Sequence, residues 1–125
     1  MITALCGGVG GSKLVLGLYR TLPPHELNVV VNTADDLEFF GLHVSPDLDT
    51  VTYTLAGVSQ AGRGWGIEGD TFHALESLRA YGAPAWFQVG DRDLATHLFR
   101  TEEMRHGVNL TVITKRIAER LEAIG

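Results

Sequence analysis

Four glycines within five positions, Gly7, Gly8, Gly10 and Gly11, stand between an apolar run and a helical period, and this arrangement narrows the fold more than any other stretch of the chain. Met1-Ile2-Thr3-Ala4-Leu5-Cys6 is short and mostly apolar, as a buried strand requires. Leu14, Val15, Leu18 and Leu22 then recur at helical spacing. Strand, glycine turn and helix in that order form the first unit of a doubly wound α/β domain. The turn carries almost no side chain, so a ligand can approach its backbone, and the unpaired N–H groups at a helix start suit a phosphate. Lys13 adds a full charge in the first helical turn. Two fingerprints are excluded. Lys13 stands where a dinucleotide loop needs its third glycine, and Gly11-Ser12-Lys13 lacks the Gly-Lys-Ser/Thr order of a Walker loop. The alternative is a tight turn that packs a helix on a strand and binds nothing.

The rest of the chain continues the alternation. The first helix is predicted to stop before Pro23-Pro24, since proline cannot continue a helix. Leu27-Asn28-Val29-Val30-Val31 reads as a second strand, buried on both faces as parallel strands are. A long loop leads to Ser45-Pro46-Asp47-Leu48-Asp49-Thr50, with Asp49 in an exposed position just before a short helix, Val51–Ala56, ended by Gly57. Gly62-Arg63-Gly64-Trp65-Gly66 is too glycine-rich for a regular element. Asp70 is a suitable N-cap for a helix that turns Phe72, Leu75 and Leu78 inward and stops at Gly82. Ala85-Trp86-Phe87-Gln88-Val89 suits a third strand, and Gly90-Asp91 a turn and cap into a helix with Leu94, Leu98 and Met104 inward, closed by Gly107. The last helix repeats Leu110, Ile113, Ile117, Leu121 and Ile124. The expected fold is α/β: a Rossmann-like three-layer domain over residues 1–125 with a parallel sheet. Three strands make a thin sheet and the chain ends on a helix, so the domain reads as truncated at its C-terminus, with apolar surface left open.

Ligands of open α/β sheets bind beyond the carboxyl ends of the strands. Three polar clusters fall at such ends: the glycine loop, Asn32 to Asp36, and Gly90 to Asp93. The substrate-binding candidates are therefore Gly8, Val9, Gly10, Gly11 and Lys13 from the first, Asn32, Thr33 and Asp36 from the second, and Asp91 and Arg92 from the third. Asp35, Asp36, Asp47 and Asp49 put four carboxylates within fifteen residues, and hard oxygen ligands suit Mg²⁺ bridged to substrate phosphates. Asp36 and Asp49 are the preferred metal pair; a ribose contact is the rival role for Asp35 or Asp36, a turn or cap the bland one. Arg63 and Trp65 either cover a ring or phosphate or fold back on the core. The five histidines (His25, His43, His73, His97, His106) have no metal-ligand spacing, and His97, between Leu94 and Leu98, reads as a half-buried helix residue. Ser12 has no supporting His and Asp for nucleophilic chemistry.

A formal charge of −5 argues against binding nucleic acid through a basic face. The single cysteine, Cys6, allows no internal disulfide and no cysteine-based zinc cluster. No apolar run approaches a membrane span and the N-terminus reads as a strand, so the expected location is cytoplasmic, away from membranes.

Taken in order, Gly7-Gly8-Val9-Gly10-Gly11-Ser12-Lys13, Val31-Asn32-Thr33-Ala34-Asp35-Asp36, Ser45-Pro46-Asp47-Leu48-Asp49-Thr50-Val51, Arg63-Gly64-Trp65-Gly66 and Gly90-Asp91-Arg92-Asp93-Leu94-Ala95-Thr96-His97 resemble the 2-phospho-L-lactate transferases, the CofD/FbiA family. The resemblance runs over essentially all 125 residues. It implies transfer of a phospholactyl or phosphoenolpyruvyl group from a guanosine diphosphate-type donor to the terminal ribityl hydroxyl of 8-hydroxy-5-deazariboflavin (Fo). GMP is released, Mg²⁺ is required, and the product belongs to coenzyme F-420 synthesis. By the same resemblance the glycine loop faces donor phosphates and Asp49 is the catalytic carboxylate near Fo and the metal, either holding Mg²⁺ or orienting the hydroxyl. Gln88 stands where relatives contact Fo through a lysine. Family members are more than twice as long, so this chain corresponds to their N-terminal part; a homodimer is the expected assembly. The alternatives are a non-catalytic nucleotide- or UDP-sugar-binding regulator of the gluconeogenesis-factor type, which shares a glycine loop and an Ala-Asp-Asp stretch, or an inactive fragment.

Overall fold

Ile2–Cys6 (β1) and Leu27–Val31 (β2) pair in parallel, Ile2 opposite Leu27 and Cys6 opposite Val31, and the helix Val9–Thr21 (α1) joins them. The structure, a computed structural model, describes residues 1–60 and 62–124. Helix α1 ends where Leu22 turns extended before Pro23, as the proline pair requires. It packs on the face carrying Cys6: a Cβ on Gly11 would stand 2.7 Å from the Cys6 Cβ, so glycine is what lets helix and strand approach. Leu5 and its register partner Val30 point the other way and are 78 % and 53 % exposed. The expected burial of Val29 to Val31 on both faces therefore fails: Val30 alternates outward with the pleat and is exposed, and Val29 and Val31 are only partly buried.

The stretch expected as a loop after β2 contains a hairpin. Leu37–Phe39 (β3) and Leu42–Val44 (β4) pair antiparallel around Phe40 and Gly41, both at positive φ (52° and 73°), the mirror-image turn that two-residue hairpins favour. Helix α2 is longer than predicted, Pro46–Ala56: Ser45 is its N-cap, Pro46 sits at N1, where a missing N–H costs nothing, and Gly57 ends it in the left-handed region.

The predicted third strand does not form. Residues 83–90 carry no ladder, and the parallel sheet has two strands. Pro84 offers no N–H, and side-chain packing takes the place of pairing. Phe39 meets Trp86 edge-on at 5.8 Å and Phe87 at 5.5 Å, while Val89 joins Phe39, Val44 and Leu75 in the buried cluster. His73–Ala80 (α3) starts after Asp70, and its cap comes from elsewhere, as described below.

Asp91–Arg105 (α4) departs most from expectation. Its buried face is Asp93, Thr96, His97, Arg100 and Thr101, while Leu98, expected inward, is exposed. Leu110–Ile124 (α5) follows after Gly107 and buries Ile113 and Ile117; the side chain of Ile124 lies outside the described residues. Helix α2 packs between α1 and α5, and α4 packs on β4 and α5, so the polar face of α4 and the first turns of α2 meet behind the hairpin.

Candidate active site

Asp49 lies in the first turn of α2 and Tyr53 one turn on, so both face the same side. Asp93, His97 and Arg100 recur at i, i+4 and i+7 on α4 and face them. Trp86, Phe87 and Gln88 from the unpaired segment, and Trp65 and Gly66 from the glycine-rich loop, complete a cavity of about 320 Å³ that Asp49, Tyr53, Asp93 and His97 also line. Aromatic walls over a charged floor suit a planar ring carrying a polar arm.

The floor is a buried charge network. Arg100 is 1 % exposed; its Nη2 binds Asp49 Oδ1, and its Nη1 donates to the His43 carbonyl at 3.2 Å and faces His97 Nδ1 at 3.3 Å. A guanidinium only donates, so His97 Nδ1 is the acceptor and the ring proton sits on Nε2, 3.3 Å from Asp93 Oδ2. The Tyr53 hydroxyl donates to Asp93 Oδ1 at 2.7 Å. Burial pushes the Asp49 carboxyl up to about 6, against the lowering pull of Arg100 and His97 and with a raising contribution from Asp93. Burial, then the carboxylates of Asp49 and Asp93, raises the Tyr53 hydroxyl as well. The expectation of an exposed Asp49 is thus corrected: its main-chain place at the start of α2 turns it inward onto Arg100, where it is 6 % exposed.

Ligand atoms of Asp49, Asp93 and His97 all lie within 4.8 Å of one another. Asp49 Oδ2 and His97 Nε2 are buried without a hydrogen-bond partner, so a divalent cation among the three, displacing the Nε2 proton, would satisfy atoms that are otherwise orphaned. Two carboxylates and an imidazole accept Mn²⁺, Fe²⁺ or Zn²⁺ as readily as Mg²⁺. Asp36, the expected metal partner of Asp49, is not in this group. Its Oδ2 accepts from His43 Nε2 at 2.9 Å and from Ser45 Oγ at 2.8 Å, which ties the strand end to the hairpin and the start of α2.

The other sequence candidates form a second cluster. Gly8 caps α1 and Val9 begins it; Gly10 has open space beside it, and Lys13 is exposed with no ion-pair partner among the described residues. Asn32 donates to Asp47 Oδ2 at 3.0 Å and to Asp35 Oδ2 at 3.2 Å, and Asp47 Oδ1 lies 3.1 Å from where a Gly8 Cβ would stand. Thr33 is exposed beside them. The ends of β1 and β2 and the start of α2 thereby meet at the glycine loop. Gly64 connects the two clusters: a Cβ there would stand 2.6 Å from Val9 Cγ1, while its neighbour Trp65 lines the cavity with the Arg63 guanidinium 4.4 Å over its ring. Gln88 is among the cavity's lining residues; Arg92 is exposed, and Asp91 is spent on α3. Sequence reasoning missed Tyr53 and Arg100; it placed Asp93 in the polar cluster after Val89 without a role and read His97 as a half-buried helix residue. The i, i+4, i+7 spacing of Asp93, His97 and Arg100 was the available signal, hidden because a buried helix face is expected to be apolar.

Among the described residues no helix is long and apolar enough to cross a membrane. The family model of the 2-phospho-L-lactate transferase CofD matches residues 2–125. The chain is 49 % identical over 120 residues to a phosphoenolpyruvate transferase of Nocardia farcinica, covering 95 % of this chain and 36 % of that one. It is 47 % identical over 120 residues to one of Streptomyces avermitilis and 47 % over 131 residues to one of Mycobacterium ulcerans, covering 95 % of this chain in both cases and 38 % and 40 % of theirs. The chain therefore spans about two-fifths of the length of these curated relatives. With glycine loop, second cluster and cavity all inside the matched stretch, the chain belongs to the CofD 2-phospho-L-lactate transferase family.

Proposed function

We propose that this chain forms the acceptor pocket and part of the donor site of a transferase. The reaction moves a phosphoenolpyruvyl or 2-phospholactyl group from a guanosine diphosphate-type donor to the ribityl hydroxyl of Fo, in coenzyme F-420 synthesis. The observation that carries this reading is the adjacency of two unlike sites across Gly64 and Trp65. One is an aromatic cavity with a charged floor; the other is a glycine helix start beside an exposed lysine, with the Asp47 carboxylate against Gly8. A deazaflavin ring fits the first chemistry and a diphosphate the second.

The transfer forms one P–O bond, from the ribityl oxygen to the phosphorus bearing the organic acid, and breaks the bond from that phosphorus to GMP. Asp49, ionised above about pH 6, takes the hydroxyl proton, and GMP leaves with the bond's electron pair. The loop N–H groups of Gly8 to Gly11 and Lys13 offset the charge that builds on the phosphate oxygens. The Tyr53 hydroxyl holds Asp93 in place, and Trp65, Trp86 and Phe87 wall the cavity around the reacting oxygen. A divalent cation such as Mg²⁺, when held by Asp49, Asp93 and His97, supplies further charge stabilisation to the transferred group. The substrates are those of a cytoplasmic enzyme, and the partner expected for the open Leu5–Val30 face is a second copy.

Fluorescence titration of Fo with the 125-residue chain tests this reading. Quenching by Fo that GDP leaves intact and uridine diphosphate does not compete is the expected result. A folded chain that ignores Fo, or prefers the uridine nucleotide, would support a non-catalytic regulator instead.

A further inference from the structure

We propose that Asp70, Gly90 and Asp91 are positioning residues: a reciprocal capping clasp that fixes where α4 begins and so presents Asp93 and His97 to the cavity. The Gly-Asp-Arg-Asp stretch, which the sequence suggests as a ligand contact, then acts through the helices it joins.

Neither α3 nor α4 is capped by its own N-cap residue; Phe72 and Gly90 make no side-chain cap bond. Each is capped by an acid that belongs to the other's leading segment. Asp70 Oδ1 accepts from the Arg92 N–H at 2.9 Å and Oδ2 from the Asp93 N–H at 3.1 Å, which satisfies two of the orphan donors of α4. Asp91 Oδ1 accepts from the Ala74 N–H at 3.0 Å, and Oδ2 from the His73 N–H at 3.0 Å and the Thr71 hydroxyl at 2.6 Å. Between them the Asp91 N–H donates to the Thr71 carbonyl at 2.7 Å. The two acids cross, and both carboxylates are fully engaged within the protein.

Gly90 is the keystone of this crossing. Its φ of −78° suits any residue, so the backbone does not call for glycine. Space does: a Cβ at Gly90 would land inside the Asp70 carboxylate. Glycine is needed here only because Asp70 reaches across it to the amides beyond. One of those amides is that of Asp93, whose carboxylate receives the Tyr53 hydroxyl and faces His97. If α4 began one residue earlier or later, its side chains would turn by about 100° and leave the cavity floor.

The assignment of the cavity to Fo rests on the proposed function, but the clasp has a test of its own. Gly90→Ala, Asp70→Ala and the double variant are compared by urea unfolding and by Fo titration, at a temperature where near-UV circular dichroism shows each to be folded. Alone, Gly90→Ala is expected to raise the unfolding equilibrium constant by about tenfold, the scale of a lost cap. In the Asp70→Ala background it is expected to cost much less, because the carboxylate it strikes is gone and only the 3.1 Å approach to the residue 70 Cβ remains. Fo affinity follows the same pattern, about tenfold weaker for each single variant and no weaker for the double, while Asp70→Asn, which keeps one oxygen, falls between. If Gly90→Ala does not fold, hydrogen exchange of the Arg92 and Asp93 amides in Asp70→Asn carries the test, with faster exchange expected there than at His97. Additive costs, unchanged exchange, or wild-type Fo affinity in folded Gly90→Ala would overturn the clasp. A wild-type chain that does not bind Fo yet has the non-additive unfolding would overturn the proposed function and leave the clasp standing.

Discussion

Replacing Arg100 by methionine keeps most of the side-chain volume and removes the guanidinium from the cavity floor. In the native chain that group binds Asp49, the His43 carbonyl and His97 Nδ1 from a site 1 % exposed. Without it, Asp49 and Asp93 are left as two buried carboxylates with no fixed cation between them. Removing one partner of a buried pair costs about 3–5 kcal/mol, which for a chain of this size lowers Tm by roughly 10–20 °C. The pH dependence separates this electrostatic cost from simple loss of packing. Burial already holds Asp49 at about 6, and Arg100 is the strongest influence pulling it down, so the variant's Asp49 titrates higher still. A carboxyl whose folded pKa is raised binds its proton more tightly in the native state, so stability falls as pH rises through the interval between the unfolded and folded values. Each further unit of upward shift therefore adds about 1.4 kcal/mol to the variant's cost at high pH and little at about pH 5. Urea unfolding of both chains at about pH 5 and pH 8 measures it. A cost that is equal at the two pH values, or below about 1 kcal/mol at both, would refute the argument that Arg100 balances buried charge.

Asp49→Asn should remove the fall in stability between about pH 4 and pH 6, worth about 3 kcal/mol in the native chain, as read from thermal melts across that range; a slope that survives assigns it to another group. Gly11→Ala should cost about 1–3 kcal/mol, because its Cβ meets Cys6, whereas Gly17→Ala, with open space beside it on the same helix, should stabilise by about 0.5–1 kcal/mol. Melts of the two variants test that contrast, and equal effects would contradict the close approach of α1 to β1. Self-association of the chain through the Leu5–Val30 face should weaken in Leu5→Lys, as light scattering would record; a wild-type chain that is monomeric at all concentrations would contradict it.

The crossover from β1 through α1 to β2 was legible because its signals are local: apolar run, glycines, helical period, proline stop. The glycine stops at Gly57, Gly82 and Gly107 were legible for the same reason, each adopting positive φ at a helix end. The hairpin was hidden by Phe40, since a bulky residue at φ 52° does not announce a two-residue turn as Asn or Gly would. Ala85 to Val89 has strand composition, but composition cannot say whether a sheet edge is available, and here aromatic packing on Phe39 takes its place. Asp49 was singled out by its place among four closely spaced carboxylates and by the resemblance, and Gln88 by the resemblance alone; both line the cavity. Asp93, His97 and Arg100 were not singled out, because their periodicity is polar and their charges are balanced only across α2 and α4, a pairing no single stretch reveals. The crossed caps of Asp70 and Asp91 are long-range in the same sense: each acid was rightly read as a cap and assigned to the wrong helix.

The central claim, that the aromatic cavity over Asp49 is the deazaflavin site, is tested most directly by intermolecular nuclear Overhauser effects between the ring protons of bound Fo and the protein. Contacts from the Trp65 and Trp86 indoles and the Phe87 ring, lost on filling the cavity with Gln88→Trp, are the predicted result. Contacts confined to the groove between β2, α2 and α5, near Val30, Leu55 and Leu110, would contradict the account.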